Sequence, residues 1–509
     1  MKLSGNKIFL IICFLIVLFV YGQTIFGEFV FDDRIILEYK PFLSDINQLY
    51  KTVSISYWAQ EAGLYRPITL LTYSLNYIIF GSGSWSFHLI NILLYALTGY
   101  FIYVFFKKMF SKKIGFWSGL IFLLLPIHTE VVANIVGRAE ILALFFSLLF
   151  FIELLKKKIN LWKLGLWIFL ALASKETAIV SGLIALIIIL IKKFQIKKYI
   201  LPGIVSIGSF FIYLFFRFLV LKQYFLNIST TMVENPLLFV DFNQRILTSF
   251  KIFYSVYFKK TILGLNLCSD YSYNQISVIN RLDLESFVGI LIFLFFIILI
   301  FVFWKSKPFI SLGSSIFIFG FLPVSNILIP IGTIAGERLM YFPSLGICLI
   351  LAGLFRKKLL ILLILILVFY GGVSTIRAND WLTEEKIFFS AAKCAPNSVL
   401  SRSNLGAIYY LKGDLENAEK EFLIANDIYD NYSKGVNNLG LIYWKKGNIE
   451  KAKELFLKAL DSEFPYHGAY ENLGLIGLEQ ENYDEAKKWL LLFYNDEEFV
   501  NEYIEMFKL

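Results

Sequence analysis

Long apolar runs are the feature that most constrains the fold of this chain. They follow one another over residues 1–376, separated by short polar turns and two longer loops. A helix needs about 20 apolar residues to cross a bilayer, and fewer where it ends in a cavity lined by protein. We therefore predict eleven membrane-spanning helices, two of them short. The predicted spans cover approximately residues 8–26, 88–106, 114–127, 138–155, 161–173, 178–191, 199–221, 287–304, 309–329, 338–355 and 359–376.

The first apolar run resembles a secretory signal peptide, because Lys2 and Lys7 precede the apolar residues 8–20. A signal peptide would end at a cleavage site made of small residues. This run instead continues through Phe26 without such a site, so we interpret it as a retained first span.

Clusters of basic residues predict the orientation of the spans. With eleven spans, every cluster lies on the same side as the N-terminus, as the positive-inside rule requires. A single helix over 161–191 would place two clusters on opposite sides, so we predict a hairpin with Ser174-Lys175-Glu176 at its tip. The outer face then receives the loops 27–87 and 222–286 and the C-terminal tail. The basic clusters lie at residues 107–113, 156–158, 192–198, 305–307 and 356–358.

The distribution of charge divides the chain into two parts. Hydrophobic residues make up 58% of the sequence and charged residues only 17%, whereas soluble domains carry about a quarter charged residues. Of the 48 basic and 39 acidic residues, 33 and 16 precede Arg377, which leaves a net charge of +17 before that residue and −8 from Arg377 to the end. This basic balance reflects membrane topology, so we expect no nucleic-acid partner.

The tail contains a repeat with a period of 34 residues. Asn404-Leu405-Gly406 recurs at 438–440 and again at 472–474, and alanine and phenylalanine positions keep the same step. A 34-residue period is typical of tetratricopeptide repeats, in which small residues let paired helices approach closely. We predict a half-repeat from Trp381, full repeats near 398–431, 432–465 and 466–499, and a capping segment to Leu509.

These patterns predict an all-α protein of two domains. Residues 1–376 would form a polytopic membrane helical bundle, and residues 377–509 would form a tetratricopeptide α-solenoid.

A pair of carboxylates follows the first predicted span. Asp32 and Asp33 lie directly after Phe29-Val30-Phe31. Paired carboxylates suit general-base chemistry, since one can accept a proton while its neighbour orients it or shifts its pKa. The alternative interpretation is an exposed acidic turn that caps the next helix.

Further ionisable residues lie at the outer ends of the predicted spans, where they are costly and usually functional. An arginine can bind a phosphate through two N–H groups, and a histidine can share a proton with it. Each residue also has a local explanation, such as arginine reaching the headgroups or Glu140 pairing with Arg138. The residues are Arg66, His88, His128, Glu130, Arg138, Glu140, Lys175, Glu176, Glu337 and Arg338.

The position of these groups discriminates between classes of membrane protein. A transporter places ionisable groups near the midplane and often has inverted repeats, which this sequence lacks. Groups at the outer boundary favour chemistry on a lipid headgroup. A histidine-rich metal site is excluded because only His88 and His128 lie near this face, whereas an ion held by carboxylates stays open.

In the order in which these motifs occur, the chain resembles the transmembrane and tetratricopeptide-repeat O-mannosyltransferases, the TMTC family. It resembles more distantly the protein O-mannosyltransferases and other polyprenyl-phosphosugar-dependent glycosyltransferases of the GT-C type. The resemblance covers nearly the whole chain. The motifs are Phe31-Asp32-Asp33, Tyr65-Arg66-Pro67, Phe87-His88, Pro126 to Glu130, Gly137 to Glu140, Ser174 to Glu176 and Glu337 to Ser344.

The resemblance implies an inverting transfer of mannose from a polyprenyl phosphate to a serine or threonine hydroxyl. Asp32 would then deprotonate the acceptor with Asp33 beside it, while His128, Arg138 and Arg338 neutralise the phosphate. The other residues of the outer set would complete the donor site. No cofactor is required beyond the undecaprenyl- or dolichyl-linked donor; a divalent metal is allowed but not needed. The implied partners are this donor, membrane lipids and a protein acceptor held by the repeats.

Two other functions stay open at this point. The acceptor can be a lipid or a cell-envelope polysaccharide, although repeat arrays usually hold proteins. A non-catalytic membrane scaffold would use the repeats but would leave the ordered charged motifs unexplained. The composition is rich in Lys, Ile, Phe and Asn, which indicates an AT-rich bacterial genome. We therefore expect the cytoplasmic membrane with periplasmic repeats and a sugar that need not be mannose, or the endoplasmic reticulum with luminal repeats in a eukaryote.

Overall fold

The computed structural model describes residues 5–38, 40–58, 63–193, 195–228 and 230–508. Lys2 and Leu509, which belong to the predicted N-terminal basic cluster and capping segment, lie outside these ranges. Helices are the regular secondary structure throughout the described residues, and no strand occurs among them. The all-α prediction is confirmed.

The chain folds into two compact units. The first comprises Met1–Thr230, Leu237–Ser269 and Val278–Ile387, and the second comprises Thr231–Pro236, Asp270–Ser277 and Phe388–Leu509. Two short stretches of the long loop after residue 221 therefore belong to the repeat unit.

The first unit contains seventeen α-helices within the described ranges, joined by short 3₁₀ turns. The helices are α1 (Gly5–Tyr21), α2 (Asp32–Leu37), α3 (Lys51–Ser54), α4 (Pro67–Phe80), α5 (Ser84–Met109), α6 (Lys112–Leu124), α7 (Thr129–Ala133), α8 (Arg138–Leu154), α9 (Leu161–Ser174), α10 (Val180–Ile191), α11 (Ile200–Leu221), α12 (Phe242–Ile252), α13 (Lys259–Leu263), α14 (Leu284–Val302), α15 (Pro308–Phe321), α16 (Tyr341–Leu354) and α17 (Leu360–Asp380). A π-helix, Phe253–Phe258, joins α12 to α13. The chain passes from the first unit to the second within α18 (Glu384–Cys394).

Seven helical segments of the described chain are long and apolar enough to cross a membrane, and several are largely exposed, as lipid contact requires. An eighth is a bent pair, Lys112–Leu124 with Pro126–Ala133, which changes direction by 57°. Pro126 lacks a backbone N–H, so the helix breaks there.

The three remaining predicted spans correspond to apolar helices that are shorter than a full span. A fourth short apolar helix, Pro67–Phe80, was not predicted to cross the membrane. The chain is thus a multi-pass membrane protein, and the number of eleven spans stays a prediction. The seven segments are Gly5–Phe26, Ser84–Met109, Ile135–Leu154, Ile196–Tyr224, Leu284–Val302, Glu337–Leu354 and Leu360–Asp380.

Glycines allow close helix packing inside the membrane unit. A Cβ on Gly346 of α16 would lie 2.1 Å from the carbonyl oxygen of Gly313 on α15. Such approach lets two backbones contact directly where no hydrophobic effect drives helices together. This pair holds the first half of α16 against α15, and the turn Glu337–Met340 directly precedes that helix.

The second unit contains three helix pairs. The predicted 34-residue repeat follows from a close contact that recurs in each pair. Gly406, Gly440 and Gly474 sit on the first helix of each pair, and a Cβ there would lie 2.5 to 2.7 Å from the side chains of Phe422, Phe456 and Leu490 on the second. The 34-residue step therefore preserves the close contact between paired helices. The pairs are α19 (Val399–Leu411) with α20 (Leu415–Ile428), α21 (Ser433–Lys445) with α22 (Ile449–Leu460), and α23 (Gly468–Glu479) with α24 (Tyr483–Tyr494); α25 (Glu497–Lys508) follows.

The loop segments of the second unit are fixed by Asp270. Its Oδ2 atom accepts hydrogen bonds from the hydroxyls of Ser272 (3.0 Å), Ser401 (2.7 Å) and Ser398. The backbone N–H of Val399, the first residue of α19, also donates to Tyr273 O at 2.6 Å. The loop thus covers the start of the first repeat helix.

Candidate active site

Asp32 is the first residue of the short helix α2, and the backbone before it is strained. Phe31 has φ +54°, a left-handed conformation that a bulky residue rarely adopts. The Oδ2 atom of Asp32 accepts a hydrogen bond from Arg338 Nη1 at 2.9 Å, and the side chain is 20% exposed. Its Oδ1 atom has no hydrogen-bond partner recorded among the described residues. Asp32 therefore keeps one carboxylate oxygen available to accept a proton.

Arg338 connects Asp32 with a second carboxylate. It lies in the 3₁₀ turn Glu337–Met340 that leads into α16. Its Nη1 atom is 3.5 Å from Glu130 Oε1, and its backbone N–H donates to Glu130 Oε2 at 3.0 Å. One guanidinium thus serves two carboxyl groups.

A small cavity of about 10 Å³ lies beside Arg338. Glu140 and Lys175 line it and form a buried ion pair with each other. Charged groups in such a space act on a ligand more strongly than they would in water. The complete lining comprises Glu140, Ala143, Lys175, Thr177, Gly320, Val324, Arg338, Leu339, Tyr341 and Phe342.

Glu176, next to Lys175, is shared by two arginines. Its carboxylate lies 3.1 Å from Arg66 Nε and 3.7 Å from Arg217 Nη1. Lys175 directly precedes Glu176 and lines the same cavity as Arg338, so this group lies beside the Asp32 group. The structure therefore brings seven of the twelve predicted site residues into one charged network: Asp32, Arg66, Glu130, Glu140, Lys175, Glu176 and Arg338.

Asp33, the neighbour of Asp32, faces away from the cavity into the protein. It is fully buried, and its two oxygens accept the backbone N–H groups of Ile135 (3.2 Å) and Val136 (2.8 Å). Burial raises the pKa of Asp33 to about 8, and the charge of Asp32 adds to this rise, while the N–H groups oppose it. Asp33 anchors α2 to the turn that precedes α8.

Arg138 is fully buried and bound to neutral groups. Its guanidinium donates to Asn91 Oδ1 at 2.8 Å, Asn76 Oδ1 at 3.1 Å and Phe87 O at 3.0 Å. It also lies over the ring of Tyr73, 4.8 Å from the ring centre. The predicted alternative, a pair with Glu140, is not formed, because Glu140 pairs with Lys175 instead.

Both predicted histidines are buried and do not line the cavity. His128 Nε2 lies 2.7 Å from Ser344 Oγ, and its Nδ1 lies 3.0 Å from the hydroxyl of Tyr95. His88 Nε2 is 3.4 Å from Glu28 O, and its Nδ1 has no hydrogen-bond partner among the described residues.

Glu337 points toward the long loop 222–286. Its Oε1 atom accepts the backbone N–H of Cys268 at 2.7 Å and lies 3.6 Å from Lys260 Nζ. Glu337 therefore attaches this loop to the segment that carries Arg338.

The sequence reasoning did not single out Arg217 or Lys260. The signal for Arg217 was present, because it is the only charged residue between 200 and 221 and lies in a predicted span. Lys260 gave no such signal, since it lies beside Lys259 in the segment 222–286, which was predicted to be a loop. In the described part of the chain, no group of three or more His, Cys, Asp or Glu residues is arranged to hold a metal ion.

Comparison with known proteins agrees with this architecture. Residues 67–220 match the family described as dolichyl-phosphate-mannose-protein mannosyltransferase, and residues 437–496 match the tetratricopeptide repeat. The protein O-mannosyl-transferase F38B6.6 of Caenorhabditis elegans is 29% identical over 430 residues. Human protein O-mannosyl-transferases TMTC3 and TMTC4 are 26% and 25% identical over 410 and 418 residues. The TMTC-type resemblance is confirmed.

The similarity covers most of this chain but only part of each relative. The three alignments cover 80%, 72% and 69% of this chain, yet only 60%, 44% and 56% of the respective relatives. The mannosyltransferase match at 67–220 includes Glu140, Lys175 and Glu176. Asp32 and Arg338 lie outside it.

Proposed function

We propose that this protein is a membrane glycosyltransferase of the TMTC type that moves mannose from a polyprenyl phosphate to serine or threonine hydroxyls of proteins. The observation that carries the proposal is the Asp32–Arg338 pair beside the charged cavity. It supplies a carboxylate with an available oxygen next to cations that can bind a phosphate. The similarity to the dolichyl-phosphate-mannose-protein mannosyltransferase family and to protein O-mannosyl-transferases supports mannose and a dolichyl-phosphate type of donor.

The proposed reaction is a single inverting displacement. The acceptor hydroxyl oxygen attacks the anomeric carbon on the face opposite the phosphate, while the bond from that carbon to the phosphate oxygen breaks. Asp32 Oδ1 takes the proton of the hydroxyl, and the polyprenyl phosphate leaves with the electron pair. Because negative charge grows on the departing phosphate, fixed cations stabilise the transition state more than the bound donor.

The structure leads us to revise the residues proposed for the phosphate. Arg138 and His128 were predicted contacts, but both are buried and bound to neutral groups. Lys175 and Arg338 line the cavity, so we propose them for the phosphate side. Asp33 is proposed as a positioning residue that holds α2, and therefore Asp32, in place.

We further propose that the charged network and the repeats lie on the outer side of the membrane. The predicted basic clusters support a cytoplasmic N-terminus. The repeats would hold a protein acceptor and raise its effective concentration near the site. For a bacterial chain the donor would be undecaprenyl-linked and the repeats periplasmic; in a eukaryote they would be luminal.

The proposal is tested with the purified full chain in lipid nanodiscs. Mannosyl and glucosyl polyprenyl phosphates are offered with a serine- and threonine-containing peptide, and products are measured by mass spectrometry. A mass increase of one hexose on the peptide with the mannosyl donor supports the proposal. Transfer only to added lipid or polysaccharide would favour the alternative acceptor, and no transfer from any donor would favour a scaffold.

A further inference from the structure

The short helix that carries Asp32 has little stability of its own. α2 has six residues, and Phe31, at its N-cap position, lies in the left-handed region and has no polar group that could cap the helix. Helices shorter than about 12–15 residues are marginal in water without tertiary contacts. The position of Asp32 therefore depends on the contacts that α2 forms with other elements.

Arg34, two residues after Asp32, attaches α2 to a distant segment of the first unit. Its Nη1 atom donates to Glu384 Oε2 at 2.9 Å, across 350 positions of the chain. Its Nε atom donates to Glu38 Oε2, within the same turn of chain, also at 2.9 Å. A guanidinium presents several N–H groups in a rigid fork, so it can bind both carboxylates at once. Arg34 thus connects the end of α2 to Glu384.

The segment that contains Glu384 is packed into the first unit. Trp381 and Ile387, on either side of Glu384, are each only 1% exposed. Glu384 is the first residue of α18, in the part of that helix that belongs to the first unit. Its carboxylate is therefore held by a packed segment and can serve as a fixed point for Arg34.

The chain before Asp32 contacts the same segment. The backbone N–H of Glu28 donates to Leu382 O at 2.9 Å. A Cβ on Gly27 would lie 3.5 Å from Leu382 Cα, so the two backbones run close together. Asp32 therefore lies between two attachments to residues 382–384, one before α2 and one within it.

We propose that Arg34 and Glu384 are positioning residues for the transfer reaction, which hold α2 so that Asp32 Oδ1 faces the acceptor hydroxyl. This inference rests on the proposed function, because Asp32 is the base proposed there. Neither Arg34 nor Glu384 lines the cavity. Loss of either residue acts on the reaction only through the orientation of Asp32.

The test compares Glu384→Gln with Glu38→Gln in the peptide-transfer assay, with the full chain in nanodiscs. Each variant removes one carboxylate from Arg34, but only Glu384 lies outside the α2 segment. The side chains of Arg34 and Glu384 are 42% and 24% exposed, and such pairs are weak. Glu384→Gln should therefore lower kcat about two- to fivefold, with an unchanged KM for the donor. Glu38→Gln should leave kcat unchanged, and Arg34→Lys should retain part of the rate because the charge remains.

A background without the base separates positioning from general stability. In Asp32→Asn protein, Glu384→Gln should cause no further fall in the residual rate, because the group that it orients no longer takes the proton. Hydrogen–deuterium exchange gives a readout that does not need transfer. Peptides that cover residues 28–38 should exchange faster in Glu384→Gln than in the wild type or in Glu38→Gln.

Three results would contradict the proposal in distinguishable ways. Equal kcat and equal exchange in Glu384→Gln and Glu38→Gln would refute the positioning role and leave the proposed function standing. An equal fall in rate from Glu384→Gln in the wild-type and Asp32→Asn backgrounds would show a general structural role instead. Absence of transfer by the wild type, with faster exchange in Glu384→Gln, would contradict the proposed function and with it any catalytic purpose of the attachment.

Discussion

Arg338 Nη1 donates to Asp32 Oδ2 at 2.9 Å, although the two residues are 306 positions apart in the chain. The pair joins the segment after the first span to the segment before α16. Because Arg338 also contacts Glu130, it links three elements of the membrane unit at one point. The position of Asp32 therefore depends on Arg338 as well as on α2.

Replacing Arg338 by alanine should reduce transfer about 100-fold or more, since both a transition-state cation and the partner of Asp32 are lost. Arg338→Lys should recover part of the rate, because the charge remains. The measurement is kcat and KM for transfer to peptide in nanodiscs. Arg281→Ala, which removes an exposed arginine of the second outer loop, is the control. Equal rates for Arg338→Ala and this control would contradict a role for Arg338.

Arg138→Ala should destabilise the membrane unit rather than weaken donor binding specifically. The change removes a buried cation and leaves the oxygens of Asn76 and Asn91 without their donor. Leaving a buried neutral acceptor without its donor typically costs about 1–3 kcal/mol. The expected result is a lower thermal midpoint and poor recovery of folded protein. A fully stable Arg138→Ala protein that fails only in phosphate binding would support the original prediction that Arg138 contacts the donor phosphate.

The buried carboxyl of Asp33 should make stability depend on pH. Its pKa is raised from 3.8 to about 8 by burial, so between these values the folded state binds more protons than the unfolded state. Stability contributed by this group is complete below about pH 4 and is lost as the pH rises through 8. Thermal midpoints measured from pH 6 to pH 9 should fall for the wild type. Asp33→Asn cannot titrate and should show a smaller fall; parallel curves for the two proteins would exclude this cause.

The loop that carries Asp270 should contribute to the stability of the repeat unit. Asp270→Ala removes the acceptor shared by Ser272, Ser398 and Ser401, so the start of α19 loses its cover. We expect faster proteolysis within residues 388–411 in the full chain, whereas Asp461→Ala, an exposed change in the same unit, should have no effect. Identical digestion patterns for the two variants would show that the loop is dispensable for the repeats.

The sequence predicted those features that depend on local patterns. The 34-residue step was visible because Gly406, Gly440 and Gly474 must accommodate a side chain of the paired helix. The charged network was largely predictable because ionisable residues at span ends are costly and therefore rarely accidental. Seven predicted residues do lie in it.

The sequence did not show which charged groups are neutralised by which partners. Arg138, His128 and Arg338 are all ionisable residues at the ends of predicted spans, so the sequence does not distinguish them. Arg138 and His128 nevertheless form hydrogen bonds with amide, carbonyl and hydroxyl groups contributed by distant parts of the chain. Asp33 differs from Asp32 only in facing the opposite side of α2. The number of spans also stays open because helices such as α9, with 14 residues, are shorter than a bilayer.

The most direct test of the account compares Asp32→Asn with the wild type in the purified transfer assay. The substitution preserves shape but removes the proton acceptor, and general-base catalysis typically contributes about 10²–10⁴-fold. We predict a fall in kcat of that size, with normal membrane insertion and unchanged affinity for polyprenyl phosphate. Asp45→Asn, at the N-cap of a 3₁₀ turn in the same loop, should keep normal activity. Turnover of Asp32→Asn within a few-fold of the wild type would contradict the assignment of Asp32 as the catalytic base.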